Sequence, residues 1–76
     1  MNVSRLREIR EDNDLYQKDV AKIINTTQQH YSEYELGVRL MPLDKIDKLA
    51  DFYDTSIDYL IGRTDERKPY PKSILK

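Results

Sequence analysis

Cysteine is absent from the 76 residues, which excludes a disulfide framework and any thiolate metal site. The single histidine, His30, would need carboxylates to complete a zinc cage, and none is suitably spaced. Only two glycines occur, too few for a phosphate-cradling loop. No apolar run approaches the roughly 20 residues of a membrane span. The first residues, Met1-Asn2-Val3-Ser4-Arg5, lack the apolar stretch of a secretory signal. No nucleophile–base pairing is visible, and a chain this small has little room for a deep pocket. These absences predict a cytoplasmic protein that is not an enzyme and that uses no cofactor, metal or membrane.

An excess of either charge is missing too. Thirteen Lys and Arg face fourteen Asp and Glu, for a net charge of −1. Residues 1–62 hold eight basic and twelve acidic side chains, whereas residues 63–76 hold five and two. Any attraction to phosphate must therefore come from a local patch or from the basic end, not from the molecule as a whole. A chain of this length makes one small domain, which buries only about 60% of the surface its unfolded form exposes. Its core must come from packed helices, with a partner subunit as a further source.

What is present is helical periodicity. Val3, Leu6 and Ile9 mark a first helix of about ten residues, which Asn13-Asp14 ends. A second is predicted over Gln17–Ile24, with Val20, Ala21 and Ile24 on one face, and Asn25-Thr26-Thr27 interrupts it. Thr27 suits the N-cap of a third helix, Gln28–Leu36, and Gly37 suits the left-handed residue that stops it. Pro42 opens a fourth, in which Leu43, Ile46, Leu49, Ala50 and Tyr53 form the strongest apolar stripe of the chain. Thr55-Ser56 can cap a short fifth helix, Ile57–Ile61, closed by Gly62. Nothing alternates with period two for long enough to make a strand. After Gly62, two prolines and few apolar residues predict a flexible basic tail over 63–76. That tail is a solubilising end, or else an arm that contacts phosphate or a second subunit.

The second and third helices, joined by three residues, read as a helix-turn-helix. Ala21 lies where the next helix must cross closely, and a larger side chain would push the two apart. Asn25 sits at the turn, where a left-handed backbone is often needed and asparagine tolerates it. Val20, Ile24, Tyr31 and Tyr34 are placed to hold the pair against the remaining helices. Gln28, Gln29, Ser32 and Glu33 are left on the outward face of the third helix, with His30 at its flank. A glutamine amide can bond bidentately to adenine N6 and N7 in the major groove, and serine can bond either base type. The first residues of a recognition helix are those that meet the base edges, and its free N–H groups suit phosphate.

The run Gln17-Lys-Asp-Val-Ala-Lys-Ile-Ile-Asn-Thr-Thr-Gln-Gln-His-Tyr-Ser-Glu-Tyr-Glu-Leu-Gly37 resembles the motif of the phage-repressor and Cro-like (XRE) helix-turn-helix family. The similarity extends through Arg5-Leu6-Arg7, Pro42-Leu43, Lys48-Leu49-Ala50 and Ser56-Ile57-Asp58-Tyr59-Leu60, covering roughly residues 4–62. The resemblance implies an all-α fold: a compact five-helix, repressor-type DNA-binding domain over residues 1–62. It implies a sequence-specific transcriptional regulator, read as a repressor, that binds double-stranded DNA in the major groove of an operator-like site. In this family Gln17 matches a phosphate-bonding residue, and Gln28, Gln29, Ser32 and Glu33 match base-facing positions. Thr27 and Arg39 match backbone-contact positions, and His30 is expected near phosphate. Arg10 and Glu35 resemble a paired Arg and Glu that tie the first helix to the end of the third. Arg10, Ala21, Asn25, Glu35 and Gly37 are therefore expected to be structural.

Four residues depart from the family pattern. Tyr16 replaces a capping Ser or Thr, a change worth about 1 kcal/mol, for which Asp19 can partly compensate by reaching back to a free N–H. Asn25 replaces the frequent glycine. Tyr31 replaces a small aliphatic residue, so the core must admit a ring and bond its hydroxyl. Glu33 replaces a basic or amide residue, and either accepts from cytosine N4 or repels phosphate. Of the six tyrosines, Tyr31, Tyr34 and Tyr53 fall on core-facing stripes, which favours packing over base stacking. With one recognition helix on an acidic body, monomer affinity should be weak, so a homodimer on DNA is expected. The second reading is an antitoxin or another protein-binding module, with a partner such as a toxin, that keeps the fold.

Overall fold

A computed structural model describes residues 4–68. They form α1 (Ser4–Asp12), α2 (Gln17–Ile23), α3 (Gln28–Leu36), α4 (Leu43–Tyr53) and α5 (Ile57–Leu60), with no strand among the described residues. The fold is all-α. α3 packs against α2 and α1, and α5 against α4 and α1. α2 stops one residue short of the sequence expectation because Ile24 already leaves helical geometry, at φ −99° and ψ 11°. Ile61 does the same after α5. Pro42 lies just outside α4, at φ −59° and ψ 148°, rather than in its first turn. Its carbonyl accepts from the Ile46 N–H at 3.1 Å.

Each helix ends on one residue in the left-handed region: Asp14, Asn25, Gly37, Asp54 and Gly62. After α2, the Asn25 N–H reaches the Lys22 carbonyl at 3.2 Å and the Thr26 N–H reaches that of Ala21 at 2.9 Å. After α3, Gly37 and Val38 make the equivalent bonds to Tyr34 and Glu33, both at 3.1 Å. These pairs satisfy carbonyls that a helix end leaves open. A residue with a β-carbon meets its own backbone in this region, a strain that Asn bears better than Ala. Asn25→Ala should therefore lower stability by about 1 kcal/mol, and Asn25→Gly should not. Urea midpoints of the two variants check this.

Leu6, Ile9, Val20, Ala21, Ile24, Tyr31, Tyr34, Met41, Ile46, Leu49, Ala50, Tyr59 and Leu60 form one core. Ala21 is 3% exposed, as close packing of α2 on α3 requires. Tyr31 and Tyr34 meet edge to face at 6.5 Å. Tyr53 packs against the core edge, and Tyr16 is exposed. The buried Tyr31 hydroxyl lies in the field of the Glu35 carboxylate but makes no hydrogen bond of good geometry, contrary to the bond the sequence asks for. The Tyr53 hydroxyl is likewise buried and unpaired. Burial, followed by the Glu35 charge, pushes its pKa up to about 12. An unpaired buried hydroxyl contributes no hydrogen bond to the fold, so Tyr53→Phe should leave stability within about 0.5 kcal/mol of wild type or raise it. Thermal melts of the two proteins decide this, and a loss above about 1 kcal/mol would mean the hydroxyl is bonded.

Residues 63–68, where the basic tail begins, make polar contacts with the helices. Arg5 lies over the Tyr59 ring at 4.3 Å. Its guanidinium donates to the Tyr59 and Thr64 carbonyls at 3.3 and 3.1 Å, and pairs with Asp65. Arg67 pairs with Asp12 at 3.0 Å, and the Thr55 hydroxyl donates to the Arg67 carbonyl at 2.6 Å. A run of charges with little apolar content is held here by long-range polar contacts, which local composition does not reveal. Val3, Tyr70 and the rest of the tail, 69–76, lie outside the described residues.

Candidate nucleic-acid interface

The recognition-type helix is built by its ends. The Thr27 hydroxyl accepts from the His30 N–H at 3.1 Å, which caps α3, and Gly37, at φ 77°, stops it. Between those ends, Tyr31 and Tyr34 face the core. Gln28 and Gln29 are exposed in the first turn, and Ser32 and Glu33 are half-exposed further along. His30 sits half-buried at the flank, and Thr27 and Arg39 are exposed.

α2 has no side-chain cap from Tyr16. The Asp19 carboxylate instead accepts from the Tyr16 N–H at 2.9 Å, which satisfies one free donor from the opposite direction. Lys45 of α4 reaches the other end of α2, where its ammonium donates to the Ile24 and Asn25 carbonyls at 3.0 and 3.4 Å. This contact ties the turn of the motif to the rest of the domain.

Behind α3 lies an ionic brace. Arg10 Nε donates to Glu35 Oε2 at 2.7 Å and Arg10 Nη2 to Glu35 Oε1 at 3.2 Å, a two-bond pair. The two side chains are 11% and 5% exposed. Arg10 Nη1 also donates to the Leu15 carbonyl at 2.9 Å. Gln17 Nε2 joins at Glu35 Oε1, at 3.1 Å. Burial would raise the Glu35 carboxyl, but the hydrogen bonds from Arg10 and Gln17 outweigh it and hold the group below the usual carboxylate range. Gln17, expected to face phosphate, thus spends one donor on the brace and stays half-exposed.

Two shallow clefts flank this brace. One, of about 330 Å³, is lined by Arg10, Tyr16, Gln17, Lys18 and Gln28. The other, of about 220 Å³, is lined by Arg7, Arg10, Gln17, Ser32, Glu35 and Leu36. Lys18 and Arg7 bring cations to the same side as α3, although sequence reasoning did not single them out. Their position one turn from a motif residue on the same helix was the available signal. Arg7 pairs with Glu11 at 3.3 Å and Arg10 with Glu35, and Lys18 lies over the Tyr16 ring beside Gln17 and Gln28, so the two clefts do not add up to a strongly basic patch. Among the described residues, no group of three or more His, Asp or Glu side chains is placed to hold a metal. No helix among the described residues is long and apolar enough to cross a membrane.

A short helix braced from behind, a turn that requires a left-handed residue, and a second helix with amides on its outer face define a helix-turn-helix domain. Family comparison agrees: the Helix-turn-helix family model matches residues 6–60. The chain belongs to the phage-repressor and Cro-like (XRE) helix-turn-helix family. It is 38% identical over 69 residues to the uncharacterized HTH-type transcriptional regulator YobD of Bacillus subtilis, covering 91% of this chain and 62% of that protein. It is 32% identical to the HTH-type transcriptional regulator AnsR of the same organism, covering 97% and 64%. With the cryptic phage CTXphi transcriptional repressor RstR of Vibrio cholerae it shares 34% identity, covering 82% and 56%. The chain therefore spans about three fifths of the length of these curated relatives. No solved structure matches it significantly.

Proposed function

We propose that this domain is a sequence-specific DNA-binding regulator of transcription, a repressor, that reads the major groove with α3. The observation that carries the reading is the pair Gln28 and Gln29, exposed in the first turn of a helix whose orientation is fixed by the Arg10–Glu35 brace. Exposed amides there can bond adenine edges bidentately. Thr27, Gln17, His30 and Arg39 surround them and serve the phosphates, with Lys18 and Arg7 in support. The relatives named as transcriptional regulators or repressors support the reading. The alternative, an antitoxin or other protein-binding module that keeps the fold, draws on the net charge of −1 and on Glu33, and the Arg39 partner of Glu33 weakens the second of these.

A single module of this kind buries only about 600–1,000 Å² on DNA, and the acidic body adds no long-range attraction. The domain therefore acts as a homodimer whose half-sites lie about one helical turn, or 34 Å, apart, on DNA in the cytoplasm. Gel shifts with genomic fragments from around the gene, across a range of salt, test the function. One fragment should shift preferentially, with affinity falling as salt rises. Absence of any preferred fragment at low salt would overturn the reading.

A further inference from the structure

Glu33 and Arg39 do not present themselves to DNA separately. Arg39 Nε donates to Glu33 Oε1 at 2.6 Å, and the side chains are 46% and 28% exposed. The six-residue separation is bridged by the reversal at Gly37, at φ 77°. The same residue anchors that reversal through its backbone, because the Val38 N–H bonds the Glu33 carbonyl at 3.1 Å. Residue 33 therefore holds the loop after α3 at two points, one from the main chain and one from the carboxylate. The hydrogen bond from Arg39 keeps that carboxyl below its usual range, so the pair stays ionised near neutral pH.

The pairing changes what each group offers. A bare carboxylate on this face would repel the phosphates that the first turn of α3 is suited to meet. Bonded to Arg39, it is neutralised and occupies the Nε edge of the guanidinium. The remaining Nη donors have no partner among the described residues. An arginine fork presented in a fixed geometry suits a phosphate oxygen better than a freely rotating one.

We propose that Glu33 reads no base and is a positioning residue that fixes Arg39 at the C-terminal edge of the α3 face, where Arg39 binds a DNA phosphate. This rests on the DNA-binding reading above and reassigns one of its base-facing positions. The proposal predicts a sign that simple electrostatics does not. Removing an acid from a DNA-binding face ordinarily strengthens binding. Here it should weaken binding, because it releases the arginine.

The test is a double-mutant cycle of Glu33→Ala, Arg39→Ala and the double variant, with circular dichroism melts as the folding control. Affinity is read by fluorescence anisotropy on the duplex that the wild-type protein selects from a random library, and on poly(dI-dC), at several salt concentrations. Exposed ion pairs contribute little to stability, so all three variants should fold. Arg39→Ala should weaken binding about tenfold on both DNAs and lower the salt slope by about 1. Glu33→Ala alone should weaken binding about threefold, with unchanged base preferences. In the Arg39→Ala background the same substitution should strengthen binding.

Two outcomes would overturn the proposal while leaving the DNA reading intact. One is Glu33→Ala strengthening binding in the wild-type background, which makes it a plain repeller. The other is Glu33→Ala altering preference at one base position, which makes it a base reader. Wild-type protein that binds neither DNA would overturn the functional reading itself, and the first titration shows this before any variant is made.

Discussion

Glu35→Ala is expected to lower the stability of the domain by about 3 kcal/mol, because it leaves a buried guanidinium without its counter-ion. The Arg10 side chain is 11% exposed and makes two of its hydrogen bonds to Glu35. A domain this small has a total stability on the order of 5 kcal/mol, so the loss removes most of it. Removing both charges is a different matter. Arg10→Met with Glu35→Leu leaves no orphaned ion, and apolar side chains of similar volume often match a buried pair. The double variant should recover most of the lost stability. DNA affinity should not recover with it, because Gln17 loses its anchor at Glu35 Oε1, 3.1 Å away, and α3 loses its brace. Urea unfolding of the three proteins checks the first part and DNA titration the second.

The same brace sets the response to acid. The folded pKa of Glu35 lies below its ordinary value of 4.5. Its contribution is therefore fully present above that ordinary value and disappears as pH falls through the folded pKa. Wild type should lose stability across that window more steeply than Glu35→Gln.

The second large effect falls on recognition. Replacing Gln28 and Gln29 together by alanine removes two amides from an exposed first turn, where no core contact depends on them. The fold should be unchanged within about 0.5 kcal/mol. A bidentate amide–adenine pair discriminates by about 1–3 kcal/mol, so affinity for the preferred duplex should fall at least tenfold. Binding to unrelated duplex, which rests on phosphate contacts, should barely change. Specificity would then collapse while the non-specific term and its salt dependence survive. Loss of both terms together would mean that the two glutamines support the surface rather than read the groove.

Helix α3 was legible in the sequence because both of its ends are local. Thr27 bonds three residues ahead and Gly37 supplies a backbone that few residues allow, so Gln28–Leu36 follows from neighbours alone. Asn25 was legible for the same reason. What was not legible depends on contacts distant along the chain. Met41 enters the core from a loop, and no periodicity announces it. Lys45 reaches back to Ile24, and Arg5 holds Thr64 and Asp65 from the opposite end of the chain. The Glu33–Arg39 pair exists only because the chain reverses at Gly37. Helical projection therefore placed Glu33 on the outward face of α3 but could not show what its carboxylate holds. The acidic net charge pointed away from DNA, and the cations near α3 do not reverse it locally, because Arg7 and Arg10 are paired with Glu11 and Glu35.

The proposed role of Gln28 and Gln29 on α3 is to read DNA sequence. Its most direct test is selection from a library of random duplexes, run in parallel with wild type and with Gln28→Ala combined with Gln29→Ala. Wild type should enrich two half-sites about one helical turn apart, each with adenine at defined positions that the double variant no longer enriches. No enriched sequence with wild type, or the same enriched sequence with both proteins, would contradict it.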